Sequence, residues 1–215
     1  MSVPAYARMR NAKRRVEDRA IGYAILDQGL FAHVGFVSDG RPMVIPMAYA
    51  RDGDRLYIHG ASKTRVVART ADAPICLTVT LIDGLVAARS SFNHSVNYRS
   101  VVVHGQARKV APGAEFDRAL WCITDHLLPG RNEELRAIRP REAKATGVLA
   151  IEIEALTVKV RCGQPVDEPE DRLDALWGGV LPVATALGRG VPDGITATGV
   201  AEPDSFAAAR RKFSA

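Results

Sequence analysis

The sequence is poor in cysteine and lacks long apolar runs. Its 215 residues include only Cys76, Cys122 and Cys162, which lie far apart and form no CxxC pair. This odd count and spacing argue against a disulfide framework and against structural zinc, and they predict a cytoplasmic protein. No stretch approaches the roughly 18 uncharged apolar residues of a membrane helix, so we expect no membrane association. The basic residues 1–19 are not followed by an apolar segment, so we expect no secretory signal.

Signatures of common nucleotide and metal sites are also missing. Neither GxxxxGK[ST] nor GxGxxG occurs, which excludes a P-loop and a dinucleotide-binding fingerprint. Among the histidines, His33, His94, His104 and His126 show no ligand spacing such as HxxxH, so we expect no metal site. No triad order for nucleophilic catalysis stands out either.

The net charge of +5 is concentrated at the two ends of the chain. Residues 1–19 carry +4 and residues 210–215 carry +3, which leaves −2 for the body between them. Nucleic-acid binding needs a basic face on the folded body, so no nucleic-acid partner is expected. With 47% hydrophobic residues, the body has ample apolar material for a core.

Apolar periodicity and turn signals predict an antiparallel sheet. Asp-Gly pairs at residues 39–40, 52–53 and 83–84 separate β-rich runs, and each pair is typical of a tight hairpin turn. The strands predicted from these runs and from later ones cover residues 30–37, 43–50, 55–59, 75–82, 85–89, 97–110, 147–153 and 157–161. Helices are predicted over residues 11–28, between Pro112-Gly113 and Pro129-Gly130, over 132–145 with a break at Pro140, and over 170–177.

These elements predict a β-dominated α+β fold, namely an antiparallel β-barrel that is closed or nearly closed and is flanked by helices. Nothing indicates a boundary between two domains. We therefore expect a single domain over residues 15–195, between a basic N-terminal tail over 1–14 and a C-terminal tail over 196–215.

One segment points to an anion site, because a strand ending at His59-Gly60 runs directly into a predicted helix start at Ser62. Exposed N–H groups and the positive end of the helix dipole favour an anion there. Lys63, Thr64 and Arg65 follow in the first turn, where cations oppose the dipole. A bound phosphate resolves this conflict. Solvated basic side chains on an exposed turn are the alternative. We call residues 62–65 the cationic corner.

Four segments, in this order, resemble the pyridoxamine 5'-phosphate oxidase-related branch of the flavin-binding split-barrel superfamily, which includes the nitroimidazole-reductase-like (Nim-type) proteins. The first runs from Arg41-Pro42-Met43-Val44-Ile45-Pro46-Met47 through Asp52-Gly53 to the segment 56–65. The second is residues 98–105, the third is residues 159–163, and the fourth is residues 177–182. The resemblance covers roughly residues 15–195. It implies an FMN-binding split barrel, a homodimer with the flavin at the subunit interface, and an oxidoreductase that acts on a small molecule.

The resemblance also assigns roles by position. Residues 44–47 run along the flavin ring and ribityl chain, residues 62–64 hold the phosphate with Arg65 as a helper, and His59 is the candidate catalytic residue. Lys159, Arg161 and Trp177 reach toward the flavin of the partner subunit. The complete set of predicted cofactor contacts is Val44, Ile45, Pro46, Met47, Ile58, His59, Ser62, Lys63, Thr64, Arg65, Arg99, Ser100, Lys159, Arg161 and Trp177.

Two departures from the oxidase pattern limit what is expected. The run Ser62-Lys63-Thr64-Arg65 replaces the oxidase's Arg-Lys pair, and the oxidase's C-terminal substrate-binding region is not recognisable. Oxidation of pyridoxamine 5'-phosphate is therefore not expected. The alternatives are a flavin-storage or sensing module without turnover, and a relative that binds haem or deazaflavin. For haem, His94 and His104 are the first candidate ligands.

Overall fold

A computed structural model describes residues 4–9, 12–70, 72–172 and 175–214. It contains one antiparallel sheet with flanking helices. Within the described ranges, the strands are β1 (Arg15–Val16), β2 (Ala32–Ser38), β3 (Arg41–Met47), β4 (Tyr49–Asp52), β5 (Arg55–Ala61), β6 (Ala73–Ala87), β7 (Ser95–Lys109), β8 (Thr146–Glu152), β9 (Ala155–Arg161) and β10 (Gly179–Pro182). The α-helices of the same residues are α1 (Arg19–Gln28), α2 (Arg65–Arg69), α3 (Ala114–Leu127), α4 (Pro140–Ala145) and α5 (Asp204–Phe213). In the described part of the chain, none of the helices is long and apolar enough to cross a bilayer.

The sheet follows the order β3-β2-β6-β7-β8-β5-β4, so β3 and β4 are its two ends. The strand β9 pairs with β7 and with β1, and β10 pairs with the outer part of β6. The sheet curls around a core that includes Val34, Leu77, Val101 and Leu149. A second, smaller core lies between α3 and the other face of β5 and β8.

Two of the three predicted hairpins are confirmed. Asp39 and Gly40 both have positive φ, 52° and 70°, in the two-residue turn from β2 to β3. Gly53 has φ 62° in the turn from β4 to β5. The prediction at Asp83-Gly84 is wrong, because β6 continues through these residues with a shift of register between Ile82 and Gly84. Asp83 lies at a β-bulge, which bends a long strand without reversing it.

Two predicted helices are shorter than the sequence suggested. Of the helix predicted over residues 11–28, a 3₁₀ turn at Ala12–Arg14 and α1 form, because Arg15 and Val16 pair with β9 instead, and residue 11 lies outside the described residues. Asp18 caps α1 by accepting a hydrogen bond from the Ala20 N–H at 2.8 Å. Of the helix predicted over 132–145, only a short 3₁₀ turn and α4 form. The helix predicted over 170–177 is reduced to a 3₁₀ turn at Pro169–Asp171, and residues 173–174 lie outside the described residues.

The C-terminal segment contains one strand and one helix that were not predicted from the sequence. One is β10, and the other is α5, which packs through Ala209 and Phe213, both buried. The Phe213 ring meets the buried His126 ring edge-on, with centroids 5.9 Å apart. The segment that follows the barrel is therefore anchored to it at both β10 and α5.

Candidate functional site

The cationic corner is a tight turn that connects β5 to α2. The Thr64 N–H and Thr64 Oγ1 both donate to the Ala61 carbonyl, at 2.8 and 2.9 Å. The Ser62 N–H donates to the Ala145 carbonyl at 2.8 Å and ties the turn to the start of β8. Thr64, and not Ser62, is the N-cap residue, because helical geometry begins only at Arg65. The corner is thus held by backbone hydrogen bonds and by the Thr64 hydroxyl, which leaves the side chains of Ser62 and Lys63 available.

The charges of the corner face solvent. Lys63, Thr64 and Arg65 are exposed, and Ser62 is half-buried. Within the described residues, neither Lys63 nor Arg65 forms an ion pair with a carboxylate. The Arg65 guanidinium instead lies 3.8 Å from the Met43 sulfur. Two unneutralised cations beside a hydroxyl form a donor set that suits a phosphate monoester.

The contact between Arg65 and Met43 connects the corner to β3. Among the described residues, β3 pairs only with β2, so its other edge is open. Pro42 and Pro46 suit such an edge, because proline lacks the N–H that a central strand needs. The five residues from Met43 to Met47 span roughly 13 Å along the strand. The predicted contacts at residues 44–47 and the predicted phosphate contacts therefore form one continuous track along the edge of the sheet.

The two predicted residues of β5 differ in accessibility. Ile58 is fully buried in the main core, so its side chain is not accessible to a ligand at the surface. His59 lies on the other face of β5, opposite Val148 of β8. Its Nδ1 is buried and has no hydrogen-bond partner among the described residues. Burial lowers the pKa of His59, so the ring is neutral near pH 7.

The predicted contacts on β7 and β9 lie apart from the corner. Ser100 and Lys159 sit directly opposite each other across the two strands and share one face of the sheet. Arg161 donates to the Asn97 side chain. Arg99 binds the Asp83 carboxylate through Nε and through Nη2, the latter at 2.7 Å. None of these side chains is joined to the corner by a contact among the described residues.

Trp177 is 70% exposed and lies before β10. Its ring lies over Gly179, where an added Cβ would come within 2.9 Å of the ring. The indole is thus an exposed aromatic surface on a short glycine-containing segment. No group of three or more metal-ligating side chains occurs in the part of the chain that the structure describes.

Sequence reasoning missed two features of this region. It did not place Met43 against Arg65, a contact that depends on how α2 folds back toward β3. It also did not place residues after 196 near the sheet, where Lys212 and Phe213 line a cleft. The apolar residues Phe206, Ala209 and Phe213, at spacings of three and four, were the signal for α5.

Comparison with known proteins identifies the family and the fold. The sequence model of the pyridoxamine 5'-phosphate oxidase family matches residues 18–160. No protein of curated function matches the sequence.

Three solved structures have folds similar to that of this chain. The flavocytochrome Anf3 from Azotobacter vinelandii is 35% identical, with a TM-score of 0.88 over 95% of this chain and 96% of its own. A FAD- and haem-binding protein from Mycobacterium smegmatis is 34% identical, with a TM-score of 0.87 over 92% and 97%. A candidate 5-nitroimidazole antibiotic resistance protein from Bacteroides thetaiotaomicron is 21% identical, with a TM-score of 0.58 over 68% and 86%.

These comparisons confirm the predicted split-barrel fold and its β-dominated, antiparallel class. They also confirm the family that the four sequence segments indicated. The family match covers well over half of the chain, and the similarity to two of the solved structures extends over nearly all of it. This protein belongs to the pyridoxamine 5'-phosphate oxidase family.

Proposed function

We propose that this protein binds a flavin nucleotide and acts as an oxidoreductase that passes electrons or hydride to a small acceptor. The observation that carries the proposal is a pair of cations, Lys63 and Arg65, at the end of the open β3 edge, for which the described residues supply no carboxylate partner. The family and the two full-length structural relatives support the same class of ligand. FMN is the smallest flavin nucleotide whose phosphate would bind at the corner while its ribityl chain and ring lie along β3. FAD carries a phosphate at the same position of the ribityl chain.

The residues of the chain have distinct roles in this proposal. Lys63 and Arg65 neutralise the phosphate, and the Ser62 and Thr64 hydroxyls lie on the same turn. The open edge of β3 offers backbone N–H and C=O groups to the ribityl chain and the polar edge of the ring. A bound flavin supplies the redox chemistry, taking up hydride from a reduced donor and returning electrons to an acceptor. The neutral His59 ring, with its unpartnered Nδ1, is the candidate for holding a proton near this site.

We also propose a homodimer with the flavin at the subunit interface. The sheet face directed away from the core carries exposed apolar residues on β2 and β3, where Val37 and Val44 are each 65% exposed in a single chain. On the same face, His33, Thr78 and Val102 form one row across β2, β6 and β7. Adjoining exposed apolar side chains mark an interaction surface. Lys159 and Trp177, which lie apart from the corner of their own subunit, are then available to the partner's flavin.

The direct test is an absorbance scan of protein purified without added cofactor, followed by mass measurement of the group that denaturation releases. We expect the paired absorption bands of a flavin, and the mass distinguishes FMN from FAD. Oxidation of NADH or NADPH, or reduction of a nitroaromatic compound, then distinguishes an enzyme from a storage or sensing module. A flavin that is retained without either activity favours the storage or sensing module.

Replacement of Lys63 tests the corner itself. If Lys63 makes a charged hydrogen bond to phosphate, Lys63→Ala weakens flavin binding by about 1.5–3 kcal/mol. Lys109→Ala, which removes another exposed lysine at the end of β7, serves as the matched control. Equal flavin affinity in Lys63→Ala and the wild type, measured by fluorescence titration, would contradict the assignment of the phosphate.

Haem is a second candidate group, favoured by the length of this chain that two structural relatives match. The family match stops at residue 160, whereas the flavocytochrome and the FAD- and haem-binding protein match 95% and 92% of this chain. These two relatives therefore share most of the C-terminal segment as well as the barrel. We propose that this chain binds haem in addition to flavin. A Soret band in the same absorbance scan tests this second proposal.

A further inference from the structure

A cleft of about 500 Å³ opens where the C-terminal segment crosses the sheet. We call it the α1 cleft, because the end of α1 and the residues that follow it form one wall. A volume of this size is within the usual range for a bound cofactor. Its apolar lining includes Leu30, Phe31, Leu81, Ile82, Val183 and Phe213.

His33 supplies the cleft with an imidazole. Its side chain is exposed, and neither ring nitrogen has a hydrogen-bond partner among the described residues. The ring packs edge-on against Phe31, with centroids 5.7 Å apart. His126, beneath the cleft, differs because Gly29 and Lys212 already engage both of its ring nitrogens. An imidazole at the wall of an apolar cleft is the usual proximal ligand of haem iron.

Two cations and one carboxylate complete the lining. Arg99 is held by Asp83 and by Gln28, which accepts from Nη1 at 2.7 Å, and each terminal nitrogen of the guanidinium keeps one further N–H. Lys212 donates to the His126 carbonyl at 2.6 Å and lies close to His126 Nδ1, at 3.3 Å, which leaves one N–H of the ammonium. These remaining donors fit the propionates of a haem, and Asp83 keeps Arg99 in place.

The position of the cleft relative to β3 fits two neighbouring cofactors. His33 is directly opposite Pro46 in the β2–β3 pairing, whereas the cationic corner contacts β3 near Met43. A flavin that runs along β3 from the corner therefore places its ring end beside His33. In addition, Val183, Lys212 and Phe213 lie beyond the family match, in the segment that the two full-length relatives largely share.

We propose that the α1 cleft binds haem, with His33 as the iron ligand and with Arg99 and Lys212 as partners of the propionates. This inference rests on the second part of the proposed function, the binding of haem, and gives that group a site. It assigns to His33 a role that the sequence reading gave to His94 or His104. His94 lies in the exposed turn between β6 and β7, and the His104 ring packs against Tyr6.

The test is a titration of the purified full-length flavoprotein with hemin, followed through the Soret band. We expect the wild type to bind hemin, and His33→Ala to bind it roughly tenfold or more weakly with a shifted Soret band. The matched control His94→Ala, which removes another exposed histidine, should keep the wild-type affinity and spectrum. Added free imidazole should restore the wild-type spectrum to His33→Ala by entering the vacated position. Lys212→Gln should weaken binding without shifting the band.

The outcomes separate this inference from the proposal for flavin. Loss of the Soret change in His33→Ala with unchanged flavin bands supports the site. An unchanged titration in His33→Ala, or loss of binding in His94→Ala, overturns it. Failure of the wild type to bind hemin overturns both the site and the haem proposal, while the flavin bands report on the flavin proposal independently. Far-ultraviolet circular dichroism confirms that each variant is folded.

Discussion

His126, which joins the C-terminal helix to the barrel, is expected to make the stability of the fold depend on pH. Its side chain is buried, with Nε2 2.6 Å from the Gly29 carbonyl oxygen. The Lys212 ammonium lies 3.3 Å from Nδ1, and the rings of Tyr49 and Phe213 pack on either side. The geometry requires a neutral ring that donates from Nε2 to Gly29 and accepts at Nδ1 from Lys212.

Burial, reinforced by the positive charge of Lys212, lowers the pKa of His126 to about 4. In the unfolded chain the pKa returns to roughly 6.5. Above pH 6.5 the ring is neutral in both states, so it adds no pH dependence. Between pH 6.5 and 4 the unfolded chain takes up a proton that the folded chain does not, so the free energy of unfolding falls as the pH falls. At about 1.36 kcal/mol per pH unit, this window amounts to roughly 3 kcal/mol.

The assay is urea unfolding at several pH values from 7.5 to 4, for the wild type and for His126→Gln. Glutamine offers an amide donor and acceptor but does not titrate, and the other acid-sensitive groups contribute equally to both proteins. We expect the wild type to lose roughly 3 kcal/mol more than His126→Gln between pH 7 and 4. Stability curves that run parallel for the two proteins would refute the reasoning. Loss of the contacts of α5 should accompany acidification, because a protonated ring repels Lys212.

Two further predictions concern the sheet. Gly105→Ala should destabilise the fold by about 1–3 kcal/mol, since an added Cβ would overlap the carbonyl oxygen of Glu152, and urea unfolding measures the loss. A wild-type midpoint in that variant would show that the strands can separate at little cost. Val44→Glu should convert the proposed dimer to a monomer, because it places a charge on the exposed apolar face, and light scattering coupled to size exclusion reads the mass. Asp72→Ala, which removes an exposed charge just before β6, should leave the mass unchanged. A dimeric Val44→Glu would exclude this face from the interface.

The central hairpins were predictable because local chemistry determines them. An Asp-Gly pair tolerates positive φ at both turn positions, and both residues of the turn at Asp39-Gly40 adopt it. The same pair at residues 83–84 misled the prediction, because the local signal for a turn is also compatible with a bulge. Only the pairing of β6 with β7 and β10 fixes the outcome there. Gly84 is needed for a close approach, since an added Cβ would lie 2.7 Å from Val180.

The candidate site was predictable in part. The run of residues 62–65 indicated an anion site through its violation of the usual helix-start preference, and its cations are exposed. The side-chain burial of Ile58 was not foreseeable from a strand that is apolar on both faces, because β5 packs against one core on each side. Arg99 lies apart from the corner because β2 and β6 separate its strand, β7, from β3.

The sequence by itself determined the family, the antiparallel class and the cationic turn, because each depends on residues that are neighbours along the chain. The tertiary structure alone decided that His33, Arg99 and Lys212 line one cleft. It also decided that His33 pairs with Pro46 of β3, the strand whose Met43 contacts Arg65 of the corner. These residues come from distant parts of the chain, and no local preference records their proximity. The physical reason is that register and helix docking are set by the burial of apolar surface over the whole sheet, and not by the polar residues that this burial brings together.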